Sequence, residues 1–484
     1  MIFTVSQTFK KTSPLVTWGF SVSNEKKIVI VGGGAGGGTA AQFARKTDRA
    51  ARITLFENGR YPQHSKCGLP YAIAGIIPDF DNLIEFSEDW FKKERIDLFL
   101  ETTVDEINNQ KRTVRAKRGN ECIEKDFDSL ILATGAKPWI PPIKNIQNKG
   151  ELLHGVHVLR TIDDGKQIAN EIKKGKKATI IGAGLIGLEL ADSLHHKGMQ
   201  VTVVEALPTI LANTLDDDMS EPVLQAVQEK ITLYTNHLAI RAEEHNKTIH
   251  SLSIKNNATN EEKKIETDLL VIATGTRPEV TLAKTIGCTI GKTGAIVVNE
   301  KSETSVKNVY AVGDCTEYRD FVTQAPIGVG LGSVVVRQGI AAGINAAGGI
   351  YTLPNGVILT RTSEFFGLEI AAVGPVQQSC QHLPVVSAKF KGSSLPEYFP
   401  GGEPITVKVG VHEETGRILF AQAVGSNAAQ RINTFACAIL SKTPVEEFRK
   451  LETAYAPSIA PTLDAVTLVC DIVSLKLARK RRQP

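Results

Sequence analysis

The sequence predicts an α/β protein with two Rossmann-like nucleotide-binding domains and a C-terminal α+β domain. Two observations carry the first part. A glycine fingerprint following a short apolar strand occurs twice, and each copy later meets the same Ala-Thr-Gly strand ending. A third carries the rest: after about Tyr351 the fingerprints stop and short alternating runs take over.

Taken in order, Lys27–Val31 is a β-branched run followed by Gly-Gly-Gly-Ala-Gly-Gly-Gly, the helical stretch Thr39–Lys46 and the strand Ile53–Glu57. Ala178–Ile181 repeats the plan with Gly-Ala-Gly-Leu-Ile-Gly, the helix Leu188–His195 and the strand Val201–Glu205. Strand, tight turn, helix and strand form the unit of a parallel sheet. Leu130-Ile-Leu-Ala-Thr-Gly-Ala-Lys-Pro138 is echoed by Leu270-Val-Ile-Ala-Thr-Gly-Thr-Arg-Pro278. Such apolar runs imply burial on both faces. Thr134, Gly135 and Gly275 then fall at strand carboxyl ends, where open α/β sheets bind ligands. Asn308–Val312 adds a strand that ends in Gly313-Asp314. Beyond Tyr351, Ile405–Val411 and Ile418–Val424 alternate and Ala428–Leu440 is helical, the pattern of an antiparallel sheet with flanking helices. The chain divides into an unassigned extension, 1–25; a discontinuous first nucleotide-binding domain, 26–140 with 272–350; a second, 141–271; and the C-terminal domain, 351–484.

Composition excludes several classes. Apolar residues make up 42% and charged ones 22%, which suits a soluble globular chain. A net charge of +4 is too small to point to nucleic acid, and no aromatic-basic RNA motif is present. The basic tail from Lys476 to Arg482 reads as a solvated helix end. The 7 cysteines are odd in number and scattered without a CxxC pair, against a zinc site or a secreted disulfide framework and towards a cytoplasmic setting. His195-His196 gets no metal role. No transmembrane segment is expected, since the best apolar window, Ala465–Leu475, is broken by Asp471. Residues 1–25 read as an extension or a misplaced start codon rather than a targeting signal.

Gly32, Gly34 and Gly37 fit G-x-G-x-x-G: a tight turn, a close backbone approach to pyrophosphate, and helix packed on strand. The anion then lies on a helix N-terminus. Glu57 is placed to accept ribose hydroxyls. Gly182, Gly184 and Gly187 repeat the arrangement with Glu205. A carboxylate there suits a free 2′-hydroxyl, and no arginine or lysine follows within Ala206–Leu211, so NADH is preferred and NADPH is the second choice. Asp314 can accept from a cofactor's polyol chain or cap a helix; two nucleotide units upstream favour the cofactor.

Cys67, in His64-Ser-Lys-Cys-Gly-Leu-Pro-Tyr71, divides evenly on local sequence. A helix starting at or after it, with Lys66 beside it, would lower the thiol pKa and make it reactive. The other reading is a small buried hydrophobe. Pro62 and Ala72 stand where a C-x4-C partner would be, which excludes a local disulfide. A working Cys67 must cycle through a mixed disulfide, a persulfide or a sulfenic acid. The other six cysteines carry no chemistry in this reading, although Cys315 packs near the cofactor if Asp314 binds it.

From about Lys26 to Leu475 the chain resembles the FAD-dependent pyridine nucleotide–disulfide oxidoreductases. Within them it resembles the single-cysteine branch of coenzyme A disulfide reductases, NADH oxidases and peroxidases, and archaeal sulfur or persulfide reductases. The motifs are Val31-Gly-Gly-Gly-Ala-Gly-Gly-Gly-Thr39, Cys67-Gly-Leu-Pro-Tyr71, both Ala-Thr-Gly strands and Tyr310-Ala-Val-Gly-Asp314. Arg337-Gln-Gly-Ile-Ala-Ala-Gly-Ile-Asn345, Tyr398-Phe-Pro-Gly401 and Ala454-Tyr-Ala-Pro457 complete them. The resemblance implies FAD at the first fingerprint, with Thr39, Thr134, Gly135, Gly313 and Asp314, and a nicotinamide cofactor at the second, with Gly275 and with Glu189 near the nicotinamide–flavin contact. It also implies a homodimer whose C-terminal domains carry Tyr398 and Tyr455 into the partner's active site, as in coenzyme A disulfide reductases. Ala35 stands where oxidases and peroxidases have a histidine. Gln63-His-Ser-Lys-Cys67 departs from the Ser-Phe-x-x-Cys of several coenzyme A enzymes and is similar to an archaeal His-x-x-Cys. The expected activity passes electrons from NAD(P)H through FAD and Cys67 to a disulfide, persulfide or sulfur acceptor. The alternatives are an NADH oxidase reducing oxygen and a flavoprotein whose redox state governs partner binding.

Overall fold

The computed structural model describes residues 25–482, so the reading of the N-terminal extension lies outside it except for Glu25. Five parallel strands form the first sheet in the order Val309–Ala311, Ser129–Leu132, Lys27–Val31, Arg52–Phe56, Ile96–Phe99. A second parallel sheet has the order Val156–Val158, Leu269–Ile272, Lys177–Ile181, Gln200–Val204, Thr232–Tyr234. The four inner and far strands of the two orders correspond, while the edge strand beside the Ala-Thr-Gly strand comes from after it in the first unit and from before the fingerprint in the second. In each, the fingerprint strand is central and flanked by the strand that ends in Ala-Thr-Gly. Ser129–Leu132 and Leu269–Ile272 are buried at every position, as their unbroken apolar runs require.

The fingerprint helices span Ala35–Thr47 and Leu185–His196, each beginning earlier than its apolar pattern suggests. The reason is local: the later fingerprint residues form the first helical turn. The duplication also extends beyond the motifs. A three-stranded antiparallel crossover, Thr103–Asn108 to Glu121–Asp126, precedes the Ala-Thr-Gly strand of the first unit, and His237–His245 to Glu262–Glu266 does so in the second. Past their glycines, the two Ala-Thr-Gly segments pair with each other, Ala136–Pro138 antiparallel to Thr276–Pro278. The Thr134 hydroxyl donates to the Glu279 carbonyl at 2.6 Å, and that of Thr274 to the Trp139 carbonyl at 2.7 Å. The chain crosses between its two nucleotide units here.

The C-terminal sheet is antiparallel, in the order Arg361–Phe365, Leu368–Val373, Ile418–Gly425, Pro404–His412, Val385–Ser393. One face packs under helices Ala428–Leu440 and Ala465–Arg481, burying Phe435, Val469, Cys470 and Val473. Helix Ala465–Arg481 starts at Asp464, whose carboxylate accepts from Val466 N–H at 3.0 Å and pairs with buried Arg431. Its basic end is a surface helix end, where Lys480 pairs with Glu413. Phe365, Ile370 and Ala372 instead join the core of the second nucleotide unit. The C-terminal domain therefore rests on that unit. No helix among the described residues is long and apolar enough to cross a membrane.

Candidate active site

Each fingerprint glycine has a distinct physical reason. Gly32 and Gly182 have φ of +106° and +107°, and a Cβ on either would lie 2.2 or 2.5 Å from the carbonyl oxygen of Ala133 or Ala273. At Gly37 and Gly187 a Cβ would lie 1.8 and 2.0 Å from the oxygens of Gly32 and Gly182, so only glycine lets helix sit on strand. Gly34 and Gly184 meet nothing within 4 Å and leave room for a ligand to approach the backbone. Glu57 braces the first turn by accepting from Gly33 N–H at 2.6 Å and Gly59 N–H at 2.7 Å. Glu205 does the same with Ala183 N–H at 2.7 Å and Leu207 N–H at 2.8 Å. Both turns feed a helix whose first turn has no acidic residue, a cradle for an anion.

One continuous cleft of ≈ 2830 Å³ joins the two cradles, far larger than a pocket for a single small ligand. Gly32, Gly34, Glu57, Cys67, Thr134, Gly135, Gly313 and Asp314 line its first part; Gly182, Gly184, Glu189, Glu205 and Gly275 line its second. Gly37 and Gly187 act by packing and do not line it. Thr39 does not line it either: it is buried against Gly339, where a Cβ would come within 2.9 Å of its own. Tyr398 and Tyr455, 57 positions apart, meet with hydroxyls 2.8 Å apart. Both are exposed and lie outside the cleft of their own chain.

Cys67 opens onto this cleft, which removes the buried-filler reading. A 3-10 turn, Lys66–Gly68, presents it just before helix Leu69–Ala74. A Cβ on Gly332, the first residue of the 15-residue helix Gly332–Ala346, would lie 4.0 Å from its Sγ. The thiol thus sits beside a long helix's N-terminus, which favours a thiolate. The side chains around it work the other way. Burial, and then the carboxylates of Glu189 and Asp314, push the thiol pKa up, with Arg160 opposing them. The expected lowering by Lys66 is corrected accordingly: Lys66 is not among the groups acting on Cys67, and burial and Arg160 push its own pKa down. Among the described residues Lys66 has no ion-pair partner.

Asp314 precedes the strand Thr316–Arg319 and so caps no helix; its carboxylate pairs with Arg160. The turn is held by Gln338, fully buried, whose Oε1 accepts from Gly313 N–H at 2.8 Å. Sequence reasoning missed both residues. Gln338 carried a signal, an amide shared only with Asn345 on the buried side of helix Gly332–Ala346; Arg160, 154 positions from Asp314, carried none. His64 donates from Nδ1 to the Pro62 carbonyl at 3.0 Å, leaving Nε2 as an acceptor without a partner among the described residues. Burial pushes its pKa down, against the pull of the Pro62 hydrogen bond. Burial pushes the Glu189 carboxyl up, while its hydrogen bond from Ser363 Oγ at 2.6 Å opposes this.

All 7 cysteines are unpaired. Cys315 is a core residue of the first unit, its thiol donating to the Val312 carbonyl at 3.3 Å. No cluster of metal-ligating side chains occurs among the described residues.

Comparison with known proteins agrees with this arrangement. Residues 26–338 match the family described as pyridine nucleotide-disulphide oxidoreductase, and residues 361–466 match the dimerisation domain of that family. The chain is 36% identical over 453 residues to an NADH oxidase of Methanocaldococcus jannaschii, covering 91% of this chain and 97% of that one. It is 33% identical to a CoA-dependent NAD(P)H sulfur oxidoreductase of Pyrococcus furiosus, covering 93% and 99%. The structure of an NAD-dependent persulfide reductase from A. fulgidus superposes with a TM-score of 0.88 at 32% identity, over 94% of this chain and 84% of that one.

Proposed function

The chain belongs to the pyridine nucleotide-disulphide oxidoreductase family, which uses FAD and NAD(P)H, and on that premise we propose that it passes electrons from NADH through FAD to a disulfide, persulfide or sulfur acceptor by way of Cys67. The observation that carries the proposal is the open Cys67 thiol at a helix N-terminus, in the one cleft that joins both dinucleotide cradles. We place the protein in the cytoplasm as a homodimer, paired through its C-terminal domain.

The residues fit the cofactors. In the first cradle the open face of Gly34 and the helix N-terminus would receive the FAD pyrophosphate, Glu57 the ribose, and Asp314 the ribitol chain. In the second, Gly184 and Glu205 would do the same for NADH, with Glu189 beside the nicotinamide. When bound, the flavin supplies two-electron transfer between nicotinamide and sulfur. The protein supplies the thiol. Cys67 thiolate attacks one sulfur of the acceptor, forming a mixed disulfide and releasing the other half as a thiolate. Tyr398 and Tyr455 of the partner subunit donate the proton that thiolate takes up. Two electrons then cleave the mixed disulfide, releasing the second thiolate and restoring Cys67. The balance is NADH, one proton and one disulfide giving NAD⁺ and two thiols.

The NADH oxidase name of the M. jannaschii relative keeps the oxygen reading as the second one. Ala35 weakens it, because it offers no acid or base within the first fingerprint. The test is anaerobic NADH consumption with coenzyme A disulfide, coenzyme A persulfide, elemental sulfur or no acceptor. A sulfur acceptor should be reduced, and Cys67→Ser should lower that rate at least ~10³-fold while leaving NADH able to bleach the flavin. Sulfur reduction that survives Cys67→Ser removes the thiol from the mechanism. Turnover seen only in air moves the protein to the oxidase reading.

A further inference from the structure

Glu189 is where three parts of the chain meet. One turn along its own helix, Ser193 Oγ lies 2.8 Å from the Glu189 carbonyl oxygen and 2.9 Å from that of Pro70, fastening this helix to the one that follows Cys67. The third part is the C-terminal sheet. In its edge strand Arg361–Phe365 the two-residue period places Ser363 and Phe365 on one face. Phe365 is fully buried in the core of the second nucleotide unit, and Ser363, 7% exposed, reaches the Glu189 carboxylate.

A buried serine with only a packing role normally satisfies its hydroxyl on a nearby carbonyl. Ser363 instead crosses a domain boundary to a carboxylate, and this is its only side-chain hydrogen bond among the described residues. Nor does any lysine, arginine or histidine among them pair with Glu189. A desolvated carboxylate held by one hydroxyl depends strongly on that hydroxyl. Its charge acts on the redox thiol and on Tyr71, both of which it pushes up.

We infer that Ser363 is a positioning residue of the redox site: by fixing the Glu189 carboxylate, the C-terminal domain of the same chain sets the charge that faces Cys67. The consequence for turnover rests on Cys67 being the working thiol; the electrostatic link itself does not. On Glu189 itself only burial and the Ser363 hydroxyl act; Tyr71, which Glu189 also faces, meets Glu364 from the Ser363 strand and Asp192 from the Glu189 helix as well. Asp314 and Arg160 face Cys67 from the first unit.

The sign follows. Without the Ser363 hydroxyl nothing opposes burial, and the Glu189 carboxyl keeps its proton to higher pH. Less negative charge then faces Cys67, and its thiolate fraction rises. The readout is the rate of Cys67 alkylation by iodoacetamide in the holoenzyme, followed by mass spectrometry between pH 6 and 8. Ser363→Ala should alkylate about threefold faster than wild type near pH 6.5, and Ser363→Thr, which keeps the hydroxyl, should match wild type. Glu189→Gln should speed alkylation at least as much, and Ser363→Ala should add nothing on that background. If Ser363→Ala leaves the profile unchanged at unchanged melting temperature, or Thr shifts it as far as Ala, the inference is overturned. Sulfur reduction that still requires Cys67 would leave the proposed function intact in either case.

Discussion

The two nucleotide units share the order of four strands, glycine geometry and a braced carboxylate, yet only the first has a cysteine at its cleft. The difference lies after the second strand. In the first unit the chain leaves Glu57 through Arg60, His64 and Lys66 to Cys67 and a short helix before the third strand. In the second it leaves Glu205 through a loop without basic residues to the helix Asp217–Gln228. There the C-terminal domain docks: buried Lys408 pairs with Asp216, and Arg361 donates to the Asn213 and Thr214 carbonyls. Duplication supplies two equivalent cradles. The connection at one position gives a thiol in one copy and a docking surface in the other.

If the cradles are equivalent, equivalent damage should cost the same in each. Gly37→Val and Gly187→Val both drive a side chain into a backbone carbonyl, which cannot move aside as a side-chain tip can. Each should lose more than ~3 kcal/mol or fail to accumulate folded, checked by thermal denaturation of the purified variants. A tolerated valine in one unit only would break the equivalence. A smaller effect separates the cradles by ligand. Glu57→Gln and Glu205→Gln each replace a carboxylate that accepts two N–H groups with an amide that must turn a donor towards one of them. The first should weaken FAD retention about tenfold, measured by flavin release. The second should narrow the preference for NADH over NADPH about tenfold in kcat/KM. Loss of NADH efficiency with no relative gain for NADPH would reduce Glu205 to a turn brace.

What could be read from the sequence follows the range of each interaction. The fingerprints and the Ala-Thr-Gly strands were legible because strand, turn and helix are local and the residue types have steric causes within a few positions. Cys67 was visible, but its environment was not: Glu189, Asp314 and Arg160 come from three distant segments, and together with burial they oppose the local helix argument. The tyrosine pair could be marked only by resemblance, since nothing near Tyr398 signals Tyr455. The surroundings of Thr39 were hidden for a related reason. It lies in the fingerprint helix but faces helix Gly332–Ala346, a packing decided some 300 residues downstream. Ser363 had no sequence signal; its meaning depends on which face of an edge strand meets the second unit.

The crossing between the units offers the smallest contrast. Trp139 and Glu279 are counterparts there, each lending its carbonyl to the threonine of the other strand. Arg277 lies over the Trp139 ring at 5.4 Å, whereas the Glu279 carboxylate pairs with Lys137. Burial alone would push the Glu279 pKa up, but hydrogen bonds from Lys137 and Thr281 outweigh it and bring it down to about 2. A depressed carboxylate pKa stabilises the fold above its unfolded value of 4.5, and that contribution is lost as pH falls towards 2. Lys137 is largely exposed, so solvent screens the pair and it is worth only about 1 kcal/mol. Melting temperatures of wild type and Glu279→Gln should therefore differ at pH 6 and draw together as the pH falls to 2.5 and on towards 2, with less difference at high salt. The stack of Arg277 on Trp139 has no group titrating in that range, and Trp139→Leu should give an offset that does not change with pH. A Glu279→Gln offset equally flat from pH 6 to 2.5 would mean that the two threonine hydrogen bonds hold the crossing and the ion pair does not.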